Sequence, residues 1–138
     1  MQMDTYKEAQ MLEHFERFEK SLTMLDNYMH ARLDDPIEQA GFIHFFEVTY
    51  EHALKVIFSH LDSKGIPVDT VRAAMKQSGE LPFLNDVRAW LKMDNRKKLA
   101  YYVFTDKVRL GLVKDIKDVY QPEMNHLHSQ VKSHYFSS

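Results

Sequence analysis

The chain contains no cysteine, which excludes disulfides, thiolate zinc sites and cysteine nucleophiles. Glycine and proline are scarce, four of each in 138 residues. So little turn chemistry favours a few long elements over many short strands. No apolar stretch approaches the ~20 residues that a membrane-spanning helix requires. The opening Met1-Gln2-Met3-Asp4-Thr5-Tyr6-Lys7 has neither a basic flank nor an apolar core, so no secretory or transit segment is expected and a cytoplasmic protein is. A glycine-rich phosphate loop, a serine nucleophile elbow and a DNA-reading module are also missing. The familiar catalytic signatures are therefore excluded, and no catalytic residue or cofactor is expected.

What is present is helical periodicity. Hydrophobic residues make up 44% and charged residues 28% of the sequence, ordinary values for one globular domain over residues 1–138. Met11, Phe15, Phe18, Leu22, Leu25 and Met29 alternate spacings of four and three, the stripe of a helix expected from Asp4 or Thr5 to about Arg32. Asp34-Asp35-Pro36 reads as cap plus first-turn proline of a second helix. Its apolar band, including Ile37, Phe42, Phe46, Tyr50, Leu54, Ile57 and Leu61, is wide enough to be buried on two sides. Gly65 followed by Ile66-Pro67 ends that helix. A short helix is expected from Thr70 to Ser78 with Gly79 as terminator, and a fourth from Leu84 to Leu99. The last opens at Thr105-Asp106, carries Val108, Leu112, Ile116, Val119, Leu127, Val131 and Tyr135, and is kinked at Pro122. The fold class expected is an all-α, four- to five-helix up-and-down antiparallel bundle.

Charge divides unevenly. Residues 1–65 hold 6 Lys/Arg against 12 Asp/Glu (−6), whereas residues 66–138 hold 12 against 8 (+4). The second half is suited to face an anion, or simply to present solvated basic helix faces. The eight histidines include no pair four apart on a helix, so no metal site is expected. Two clusters stand out. Glu47, Glu51 and Lys55 follow one another at four-residue steps on the second helix, either as exposed ion-pairing partners or as the border of a groove. Arg88, Lys92, Arg96, Lys97 and Lys98 accompany Trp90, Tyr101, Tyr102 and Phe104, a mixture of cations and aromatics that suits a phosphate-bearing base.

These stretches resemble a known family, the small helical nucleotidyltransferase substrate-binding proteins, relatives of the HEPN domains. Phe46-Glu47 through Glu51 and Lys55 resembles the family's Phe-Glu-x-Thr-aromatic-Glu-x-x-x-Lys signature, and Gly65-Ile66 the turn after it. Arg72-Ala73-Ala74-Met75 with Gly79 and Leu81, Trp90-Leu91-Lys92-Met93, and Tyr120-Gln121-Pro122 are similar to its later helices. The resemblance implies a helical bundle, usually a homodimer, that partners a minimal nucleotidyltransferase subunit in a two-component or toxin–antitoxin pair. Many HEPN relatives cut RNA with an Arg-Asn pair, a His about five residues after the Arg, and a Tyr two beyond. Here Arg96 fits the Arg, but Lys97 replaces the Asn, Tyr101 the His and Val103 the Tyr. Tyrosine, with a pKa of about 10, is a poor general base at neutral pH.

The expectation is thus a non-catalytic subunit that binds nucleotide or nucleic acid in a helical groove. Arg96, Lys97 and Lys98 would meet phosphate, Tyr101 or Tyr102 would stack on a base, and Glu47, Glu51 and Lys55 would border the groove. The alternative is a HEPN-type ribonuclease toxin with an altered active site.

Overall fold

The computed structural model describes residues 5–80, 83–99 and 105–136, apart from the side chains of residues 80 and 97–99. Five helices account for most of them: α1 (Thr5–Asp26), α2 (Pro36–Ser63), α3 (Val71–Glu80), α4 (Val87–Leu99) and α5, an unbroken helical run over residues 106–136. Cross-helix contacts fix the directions. Lys7 meets Asp62 and Ser21 meets Thr49, so α1 and α2 are antiparallel. Gln39 pairs with Arg109, Phe46 stacks on Tyr120 and His60 contacts Tyr135, so α2 and α5 are parallel. Asp86 meets Glu123 and Arg96 meets Asp115, which sets α4 against α5. The result is an up-down-up-down bundle with the short α3 between its second and third members. Among the described residues no helix is long and apolar enough to cross a membrane.

Local chemistry explains the boundaries. Asp35 caps α2 by accepting the Glu38 N–H at 2.8 Å, with Pro36 in the first turn. Gly65, at φ +69°, ends it: Ile66 N–H returns to the Leu61 carbonyl and Gly65 N–H to that of Asp62, each at 3.0 Å, a Schellman closure. The α1 stripe is buried from Met11 to Leu25, but the helix stops at Asp26 rather than near Arg32. Tyr28, Met29 and Ala31 donate three residues back instead of four, and the poor helix formers Asp26, Asn27, Tyr28 and His30 do not sustain the wider spacing. The start of α4 also differs from expectation. Asp86 accepts from Arg88 and Ala89 N–H groups and so moves the first turn to Val87.

Gly79 does not terminate α3, which continues to Glu80. A Cβ at this position would lie 2.3 Å from Val87 Cγ2, so the glycine permits close approach of α3 and α4. Pro122 does not end α5, in keeping with the resumption of apolar spacing after it. Upstream of it, Ile116–Tyr120 forms a π-helical turn in which Gln121 N–H reaches Ile116 O, and the added residue shifts the face of the helix. Tyr120 turns inward, 2% exposed, whereas Val119 of the expected stripe is 40% exposed. Ile37, expected in the apolar band of α2, is 84% exposed in its first turn, beyond the end of the packed layer. The core itself draws on all five helices, with Phe46, Tyr50, Trp90 and Tyr120 at its centre.

Candidate functional site

The four-residue step places Glu51 and Lys55 on the rim of a groove where α1 crosses α2. Leu54 and Phe58 form its apolar floor, and Gln10, His14, Ser59 and Asp62 complete the polar wall around a volume of about 420 Å³. That volume is within the range of small-ligand pockets. Glu51 and Lys55 are both exposed. Glu47, one turn earlier, is half-buried and is not part of the groove wall. At one end Lys7 pairs with Asp62 at 3.5 Å.

The groove's electrostatics are set by cations close to imidazoles. Burial lowers the pKa of His14, and the Lys55 ammonium lowers it further. His52 behaves likewise, with burial first, then Lys55, Arg17 and His14 itself opposing its protonation. Each ring also has a buried Nδ1 with no hydrogen-bond partner among the described residues. Both histidines are therefore neutral near pH 7, and Lys55 is the cation that the groove offers a ligand.

The second cluster lies elsewhere, on the face where α4 meets α2 and α5. Arg96 Nη1 donates to Asp115 Oδ2 at 2.6 Å and is 28% exposed. Tyr120 lies beside this pair; burial raises its pKa, the Arg96 guanidinium opposes that rise, and Asp115 adds to it. Two residues before Arg96, Asp94 Oδ1 accepts the Tyr50 hydroxyl at 2.9 Å. Burial first, and then the Asp94 charge, drives Tyr50 far above the ordinary range for a phenol. Tyr50 is thus a neutral donor within the core and does not titrate in the working range. The side chains of Lys97 and Lys98, together with Tyr101 and Tyr102, lie outside the described residues.

The structure therefore brings Glu51 and Lys55 together with His14, and Arg96 with Asp115 and Tyr120. No described contact joins the two groups. Sequence reasoning missed Asp94, Asp115, His14 and Tyr120 as neighbours of the candidate residues. Asp94 had a signal, since it directly follows the Trp90-Leu91-Lys92-Met93 run; the others are matched only through tertiary contact. Among the described residues, no three His, Asp or Glu side chains converge as a metal would require.

The model of the family described as nucleotidyltransferase substrate binding protein like matches residues 13–133. The chain belongs to this family. The match takes in the bundle from the third turn of α1 to the last turns of α5, and apart from Gln10 both candidate clusters fall within it. Comparison with curated proteins finds no match. As a nucleotidyltransferase substrate-binding-like protein, the chain has a family description that speaks of binding.

Proposed function

We propose that this chain is the non-catalytic substrate-binding partner of a minimal nucleotidyltransferase. In this reading it is one half of a two-component pair of the toxin–antitoxin kind, works as a homodimer in the cytoplasm, and holds a nucleotide or nucleic acid for the enzyme. Family membership supports the class. The observation that carries the place is the α1/α2 groove, where an apolar floor of Leu54 and Phe58 meets exposed Glu51 and Lys55. A base or sugar would lie on the floor while Lys55 meets a phosphate. Arg96, Lys97 and Lys98 add a second phosphate-facing stretch on α4, with Tyr101 and Tyr102 available for stacking.

The state of Arg96 also favours binding over cleavage. Its guanidinium remains 28% exposed beside Asp115 and can still meet a phosphate, whereas the general base in the HEPN relatives' usual position is replaced by Tyr101. General-base catalysis contributes about 10²–10⁴-fold, so RNA cleavage by the chain alone is expected near background.

Co-purification from the native host tests the reading. A small nucleotidyltransferase should arrive with the wild-type protein, and the charge reversal Lys55→Glu should weaken its nucleotide binding at least tenfold while helicity is kept. Metal-independent RNA cleavage by the purified chain, abolished by Arg96→Ala, would replace this reading with the ribonuclease alternative.

A further inference from the structure

At the opposite end of the bundle from the α1–α2 connection, the last helical turn of α5, Lys132–Phe136, reaches across to α2. Tyr135 Oη lies 2.5 Å from His60 Nδ1 and 2.9 Å from Ser63 Oγ. Ser63 Oγ in turn donates to the His60 carbonyl at 2.6 Å. Proton counting orders this chain. Ser63 has one hydroxyl proton and gives it to the carbonyl, so the Tyr135 hydroxyl must donate to Ser63 Oγ. The contact between His60 and Tyr135 then needs its proton from the ring. His60 is accordingly the tautomer with hydrogen on Nδ1, and Nε2 carries a lone pair. That Nε2 is buried and has no partner among the described residues. His60 is 1% exposed, with the Phe83 ring 3.9 Å from its own and His134 edge-on at 5.9 Å.

We infer that the C-terminal turn Lys132–Phe136 is a clasp, closed by Tyr135 onto neutral His60 and released when His60 takes a second proton at Nε2. The added proton would stand in a buried place with no acceptor, which is unfavourable unless the ring gains water. Among the described residues, the charged or titratable groups facing it give no help: His134 and Tyr135 come from α5, Lys64 is on α2 itself, and Phe83 before α4 brings no charge. Burial first, then His134 and Lys64, press the His60 pKa down to about 4. His134 is lowered too, by burial and by Lys64. Opening the turn is the easiest way to bring water to Nε2, because the last turn of a helix can fray while the core stays folded. Apart from Tyr135, its described hold on the bundle includes the Phe136 ring, 4.7 Å from Phe15.

Linkage sets the size of the effect. The closed state has a His60 pKa of about 4, and a solvated imidazole titrates near 6.5. Between those values the closed-to-open ratio falls about tenfold per pH unit, up to about 300-fold in total.

Two measurements on the full chain test the clasp. Nitrogen NMR of the His60 ring at pH 7 should show hydrogen on Nδ1 and a bare Nε2; the opposite tautomer would overturn the proposal. Amide exchange, corrected for intrinsic rates, should show protection of residues 132–136 falling at least tenfold from pH 6.5 to 4 while Phe46 and Tyr50 in α2 stay protected. In Tyr135→Phe the same turn should be weakly protected already at pH 7 and insensitive to pH. Protection of the turn that stays flat in the wild type, or falls only together with that of α2, would refute the clasp.

Discussion

Replacing Gly79 by alanine separates packing from propensity, because it alone of the four glycines has a neighbour in the way of a Cβ. Gly79 sits within α3 with no backbone need for glycine, so alanine at an equivalent exposed position would stabilise the helix by about 1 kcal/mol. Its Cβ, however, would meet Val87 Cγ2 at 2.3 Å. Carbon atoms pack at about 3.5–4.0 Å, so α3 and α4 must part by roughly 1 Å or Val87 must leave its rotamer. A β-branched residue in a helix has few other rotamers. Overpacking of this kind costs about 1–3 kcal/mol, which outweighs the propensity gain. Gly79→Ala should therefore destabilise by about 1 kcal/mol in urea denaturation followed by far-UV circular dichroism. In a Val87→Ala background the sign should reverse, because the clashing methyl is gone and only the propensity gain remains. The double-mutant cycle should return a coupling of about 2 kcal/mol. A stabilising Gly79→Ala in the wild-type background would refute the close-approach account.

Stability should also depend on pH in a definite direction. The folded-state pKa values of His14, His52, His60 and His134 are all lowered, so the unfolded chain takes up protons first as pH falls through about 6.5. Their contribution is complete above that pH and lost towards pH 4, with His60 giving a slope of no more than about 1.4 kcal/mol per pH unit; a urea midpoint that does not move between pH 7 and 5 would contradict it. Glu123 is buried on α5 and accepts from Asp86 N–H at 2.8 Å and Asn85 Nδ2 at 3.0 Å. Glu123→Ala should cost about 1–3 kcal/mol through the unpaired donors at the start of α4, and Glu123→Gln less, as read from thermal unfolding. Replacing Arg96, Lys97 and Lys98 together by alanine should weaken RNA or nucleotide binding and flatten its salt dependence, with helicity nearly unchanged. Unchanged affinity at low salt would return those cations to the role of a solvated face.

What the sequence disclosed was the part of the structure decided within a turn or two of chain. The Asp35-Pro36 start, the Gly65 closure and the α1 stripe each rest on residues at most a few positions apart, so spacing alone reveals them. Arg96 and Asp115 are 19 residues apart and His60 and Tyr135 are 75 apart. No local pattern pairs them, because the pairing is made by helices packing side by side. The π-helical turn before Pro122 was hidden for a related reason. A strict helical period places Val119 inward, and only the added residue of that turn exchanges it for Tyr120.

The groove shows both limits at once. Glu47, Glu51 and Lys55 look equivalent in sequence, yet a four-residue step overshoots a 3.6-residue turn by about 40°. Across the three residues the row therefore rotates by about 80°, so its first and last members lie on different parts of the helix surface. With α1 crossing so that Gln10 and His14 face the later turns, Glu51 and Lys55 are held at the rim and Glu47 is carried away from it. The spacing thus identified the face. The crossing of α1, which no spacing within α2 encodes, decided which of its charges a ligand can meet, and for that reason reversal of Lys55 is expected to disturb nucleotide binding more than reversal of Glu47.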